Sequence, residues 1–194
     1  MNTQQKRLVW RIAALLLDYP TQELELLDQL REAARDLPRP AGPALRAFID
    51  YAGTTPHLTL AERYFATFDV RRRHSMHLAF STDADPHSGR PFGVELGDHE
   101  LPDRLSVVLR FAATLDSSAG ERLLGDHAPA LELIRGSLAD DGSPYTNVLF
   151  AIMATLPPVT TADRRTIAEL AAQGPPEEAG SAPFALEPTT GTRR

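Results

Sequence analysis

Apolar residues recur along this chain at three- and four-residue intervals, while the strict alternation of a half-buried strand is nearly absent. The pattern predicts an all-α fold. A first helix carries Leu8, Ile12, Leu15 and Leu16 on one face and stops before Pro20, because a residue that precedes proline resists helical geometry. Thr21 is placed to cap a second helix with Leu24, Leu27 and Leu30 inward and Glu23 near the positive end of its dipole, ended by Pro38 and Pro40. A third helix begins near Pro43, holds Leu45, Phe48 and Ile49, and ends at Gly53. Thr59 to Glu62 reads as a capping box that opens a fourth helix, with Leu60, Tyr64 and Phe68 on one face.

The stretch from Asp69 to Gly97 is less regular, with three successive arginines, an apolar cluster at Met76, Leu78 and Phe80, and a polar, turn-rich part from Asp83 to Gly93. Regularity returns at Glu100-Leu101-Pro102-Asp103. There proline suits a first-turn position, and Leu105, Val108, Leu109, Ala112 and Leu115 form an apolar stripe that predicts a largely buried helix. Further helices are expected from about Pro129 to Leu138 and from Ser143-Pro144, with Tyr145, Val148, Leu149 and Ile152 inward and Pro157-Pro158 as the stop. A last amphipathic helix spans roughly 162–173. The pattern thus divides the chain into a helical domain over 1–173 and a tail over 174–194, rich in Pro, Gly, Glu and Thr, that is expected to be disordered.

With 194 residues and 42% hydrophobic content, the chain has enough material for one substantial core and is short for two. The net charge of −6, with both signs mixed along the chain, supplies no extended positive face for phosphate backbones, so nucleic acid is not an expected partner. The absence of cysteine removes disulfides, thiolate metal sites and cysteine nucleophiles together. The apolar run from Leu8 to Leu17 is interrupted by Arg11 and lacks a small-residue cleavage site, so it reads as a core helix rather than a signal peptide. No apolar run approaches the roughly 20 residues of a membrane span, and a cytoplasmic protein without direct membrane insertion is expected.

At Tyr64-Phe65-Ala66-Thr67-Phe68-Asp69, then the arginine cluster, then Glu100-Leu101-Pro102-Asp103, the sequence resembles the NarJ family within the wider TorD- and DmsD-like redox-enzyme chaperones. Leu15 to Pro20 looks like that family's opening helix and its Tyr-Pro stop, and Val107 to Ala113, His127 to Leu133 and Tyr145 resemble its later helices. The likeness runs from about Leu15 to Leu156. It implies a compact single-domain helical bundle of the TorD-like type that is not an enzyme and carries no cofactor of its own. Such a protein binds the N-terminal segment of the apo nitrate reductase α subunit, assists molybdenum cofactor insertion and delays membrane docking. Molybdenum cofactor biosynthesis proteins are further candidate partners. The sequence departs from the family where Asp85 to Gly93 passes almost directly to Val94-Glu95-Leu96, at a place where the family carries another helix.

The peptide-binding site that the resemblance implies comprises Tyr64, Phe68, Asp69, Arg72, Glu100, Leu101, Pro102 and Asp103. Each has a structural alternative. Asp69 can serve as a cap or an intramolecular ion pair, which contributes about 0–1 kcal/mol when exposed. Glu100 and Asp103 invite acid/base chemistry, but carboxylates in a first helical turn gain about 0.3–1 kcal/mol each from the dipole with no catalysis required. Tyr64, Phe68, Leu101 and Leu105 are core candidates by their helical spacing. His74, His77, Asp83, Asp85 and His87 are a candidate metal set without a compact ligand motif, and Ser75 beside His74 lacks a nucleophile-elbow context. The alternatives to a chaperone are a generic helical peptide-binding adaptor and a His/carboxylate metal-dependent enzyme.

Overall fold

A computed structural model of the chain describes residues 1–20, 26–69, 105–158, 160, 165 and 168. Among them there are eight α-helices and no strand, in agreement with the all-α expectation. They are α1 (Thr3–Leu16), α2 (Leu27–Ala33), α3 (Ala41–Thr54), α4 (His57–Tyr64), α5 (Leu105–Thr114), α6 (Ser117–Asp126), α7 (Ala128–Asp140) and α8 (Thr146–Met153). A single π-helical turn, Phe65–Asp69, continues α4.

Helix α1 is the hub. It lies most extensively on α5 and also touches α8 and α3, while α8 packs on α3 and α7. Its start is fixed by a capping box, in which the Gln5 backbone N–H donates to Asn2 Oδ1 at 2.8 Å and the Asn2 N–H donates to Gln5 Oε1 at 3.0 Å. Val9, Trp10, Ile12, Ala13, Ala14 and Leu16 are buried, a wider inner face than the Leu8/Ile12/Leu15/Leu16 stripe anticipated; Leu8 and Leu15 flank it, partly buried. The extra breadth follows from the position of α1 between several neighbours. Trp10 is fully buried, and its indole N–H donates to Thr155 Oγ1 at 2.8 Å, so the polar atom of the largest core side chain is satisfied just beyond α8. On the outer side Arg7 Nε donates to the Ala113 carbonyl at 2.7 Å and Lys6 pairs with Glu121 at 2.6 Å, which ties α1 to α5 and α6.

The stripe of Leu105, Val108, Leu109 and Ala112 is buried as its spacing predicts. Leu115 is not part of it. It lies beyond the end of α5 and is 62% exposed, because the helix stops at Thr114 and the chain turns outward into α6. Helix α6 had no counterpart in the sequence reading, although Asp116 caps it by accepting from the N–H groups of Ser118 and Ala119 at 2.9 and 2.8 Å. Its closeness to α5 depends on Gly120, where a β-carbon would overlap Ala112. The turn from α7 to α8 is closed by Gly142 at φ 62°, with Ser143 N–H donating to the Leu138 carbonyl at 2.8 Å and Gly142 N–H to that of Ala139 at 3.0 Å.

Helix α8 holds Val148, Leu149 and Ile152 inward, with Tyr145 buried just before it, as expected. Two helix starts differ from expectation. The fourth begins at His57 rather than at Thr59, which sits inside it, and no side chain caps it; Pro56 supplies the extended entry. The third begins at Ala41, two residues before Pro43. Thr21, Glu23 and Leu24, the helix expected over 162–173 and the tail over 174–194 lie outside the described residues, save for isolated positions 165 and 168.

Candidate aromatic docking site

Helix α4 turns Leu60, Ala61 and Tyr64 toward the core, and the π-helical turn that follows sets Phe68 against the same core. The result is a continuous set of ring contacts across four parts of the chain. Tyr64 meets Phe68 at a centroid distance of 5.1 Å, Phe68 meets Tyr145 at 4.8 Å, and Tyr145 meets Phe48 of α3 at 4.7 Å. The tilted and edge-on geometries are those favoured by aromatic quadrupoles. Outward from Tyr64 the set continues to Tyr19 at 5.6 Å, whose ring in turn meets Phe65 at 5.2 Å.

Burial changes along this set. Tyr145 and Phe48 are buried, Tyr64 is 5% exposed, Phe68 is half-buried, and Phe65 is 44% exposed. The Tyr64 hydroxyl donates to the Leu17 carbonyl at 3.4 Å, at the end of α1. The Tyr51 ring lies 6.2 Å from Phe48 and has the Arg63 guanidinium above it at 5.8 Å, while its hydroxyl is buried without a hydrogen-bond partner among the described residues. Burial raises the Tyr145 phenol well above its usual range, and the nearby Tyr64 and Tyr51 raise it further. Tyr145 therefore stays neutral throughout the physiological range.

Of the residues anticipated for a peptide site, the structure brings Tyr64 and Phe68 together, with Tyr64 directed inward as a core side chain. Asp69 is the last residue of the π-helical turn. Arg72, Glu100, Leu101, Pro102 and Asp103 lie outside the described residues, as do His74, Ser75, His77, Asp83, Asp85 and His87. Sequence reasoning missed Tyr19 and Phe65 as surface aromatics. Tyr19 registered only as part of a helix stop, and Phe65 was overshadowed by Tyr64 and Phe68, which share the helical spacing of Leu60. Among the described residues no group of three His, Cys, Asp or Glu side chains could hold a metal ion, and no helix is long and apolar enough to cross a membrane.

Fold and site together define, among the described residues, an all-helical protein with an aromatic cluster that runs from its core to its surface. No family model matches the chain. Against curated proteins it is 31% identical over 158 residues to the nitrate reductase-like protein NarX of Mycobacterium tuberculosis, covering 76% of this chain but only 24% of NarX. It is 28% identical over 161 residues to the nitrate reductase molybdenum cofactor assembly chaperone NarJ of Escherichia coli, covering 75% of this chain and 67% of that protein. It is 24% identical over 172 residues to a Bacillus subtilis protein named "Probable nitrate reductase molybdenum cofactor assembly chaperone NarJ", with 80% of this chain and 92% of the relative aligned. The chain thus spans about a quarter of the NarX length and most of the NarJ length. Its curated relatives are NarJ assembly chaperones together with a NarX-like protein, which supports the NarJ resemblance read from its motifs.

Proposed function

We propose that this chain is a nitrate reductase assembly chaperone rather than an enzyme. It binds the N-terminal segment of the apo α subunit in the cytoplasm, keeps that subunit receptive to molybdenum cofactor, delays its docking at the membrane, and is not retained in the mature enzyme. The observation that carries this reading is similarity to NarJ chaperones along 75–80% of the chain, on an all-helical fold. The aromatic cluster is consistent with it, since peptide recognition by a helical protein uses apolar grooves into which a few anchor side chains are buried.

In physical terms the work is differential binding. The chaperone must hold the apo-subunit's segment more tightly than the same segment in the mature enzyme, because a ligand shifts an equilibrium only through a difference in affinity. Release then follows when the segment folds into the completed subunit. Molybdenum cofactor biosynthesis proteins would meet the complex before that step.

The test is complementation in a host that lacks its own nitrate reductase chaperone. With this chain supplied, the α subunit is expected to contain molybdenum cofactor and reduce nitrate; without it, the subunit should accumulate cofactor-poor and associate prematurely with membranes. Equal cofactor content in both cases would refute the chaperone reading. A generic adaptor would bind the α subunit segment no better than a scrambled peptide.

A further inference from the structure

The residues that the sequence singled out in α4 face inward, and a different set on the same helix faces out. Leu58 is 70% exposed and Phe65 is 44% exposed. They are seven residues apart, close to two helical turns, and so occupy one side of the helix about 10 Å apart along its axis. The Tyr19 ring adjoins Phe65 at 5.2 Å and is itself 36% exposed, so the apolar surface passes from α4 to the end of α1. Glu62 lies on this side, four residues after Leu58 and three before Phe65, exposed and in no ion pair among the described residues. Asp18, half-buried, precedes Tyr19.

Among the described residues, the nearby basic groups are otherwise engaged. Arg63 sits on the opposite flank, over the Tyr51 ring, and His57 donates from Nε2 to the Pro20 carbonyl at 2.6 Å. The face is therefore apolar with a carboxylate in its midst. Phe65 also opens the π-helical turn, a distortion of the backbone that recurs at functional sites.

We propose that Tyr19, Leu58, Glu62 and Phe65 form a docking face for a partner segment that carries a lysine or arginine between apolar anchors. The cation meets Glu62 and the aromatic rim, and the apolar side chains lie on Leu58 and Phe65. This rests on the chaperone reading, with the segment belonging to the apo α subunit. It moves the contact residues from Tyr64, which is buried, to its exposed neighbours.

The experiment is calorimetric titration of the full chain with a synthetic N-terminal peptide from the nitrate reductase α subunit of the same organism. Phe65→Ser and Glu62→Lys are each expected to weaken binding by about tenfold or more, the loss typical of a hot-spot residue, with thermal unfolding unchanged. A peptide with its basic residues replaced by glutamate should regain affinity for Glu62→Lys and not for the unmodified protein. Leu115→Ser, at the exposed turn between α5 and α6, serves as the control and should bind as the parent does. If the parent protein binds the peptide and both face variants bind it equally well, the docking face is refuted and the chaperone reading stands. If the folded parent protein does not bind the peptide at all, both fail.

Discussion

Among the described residues Tyr145 carries the clearest electrostatic signature, a phenol held neutral by burial and by two neighbouring tyrosines. Its folded pKa is raised above the unfolded value, so the stabilising contribution is complete below the ordinary tyrosine pKa of about 10 and is lost as pH rises through and beyond it. Urea midpoints are therefore expected to fall above about pH 10, and Tyr145→Phe should flatten that fall while leaving the neutral-pH midpoint nearly unchanged. A parent and variant with parallel alkaline profiles would contradict this. At the same scale, the inward placement of Tyr145 was legible because it precedes the Val148/Leu149/Ile152 stripe at helical spacing. The outward placement of Phe65 was not. A wheel of 3.6-residue turns puts Phe65 on the side of Leu58, away from Leu60 and Tyr64, but an aromatic side chain is ordinarily assigned to a buried face.

Between elements, α6 comes close to α5 where Gly120 lies against Ala112. A methyl group at position 120 has no room unless the helices separate. Gly120→Ala should cost about 1–3 kcal/mol, as overpacking usually does, against the few tenths that alanine gains as a better helix former. Ala112→Gly in the same chain should recover only part of that loss, because the Cα of residue 112 still lies about 2.5 Å from the added methyl group, and a double-mutant cycle in urea would measure the coupling. Additive effects would mean that the two residues do not meet. The same helix marks the limit of sequence reading for elements. Seven of the eight helices carried either a leucine-rich stripe or a proline boundary, whereas α6 buries only Gly120 and Leu124, too few large apolar residues to stand out as a stripe. Its Asp116 cap was the one available signal. The Thr59 start was misplaced for the opposite reason, because a capping-box pattern occurred by coincidence inside a helix already begun at His57.

For the molecule as a whole, α1 completes the core by covering α3, α5 and α8 at once. Removal of residues 1–16 is expected to abolish cooperative thermal unfolding and expose apolar surface to a hydrophobic dye, since it takes Val9, Trp10, Ile12, Ala13, Ala14 and Leu16 out of the core. A truncated chain with a sharp calorimetric transition would show that the remaining helices suffice. At this scale the all-α class was evident from periodicity, while the centrality of α1 was not, because a helical stripe reveals that a face is buried but not how many neighbours bury it. The location of its tryptophan also has a practical bearing on how the protein is observed. The chain contains one tryptophan, sealed in the core against Thr155, and four tyrosines, all of which belong to the aromatic cluster at 19, 51, 64 and 145. Indole fluorescence will consequently report the integrity of the bundle, and second-derivative tyrosine absorbance the state of the cluster, so that loss of structure and occupation of the surface can be followed in one cuvette as separate optical signals without any attached label.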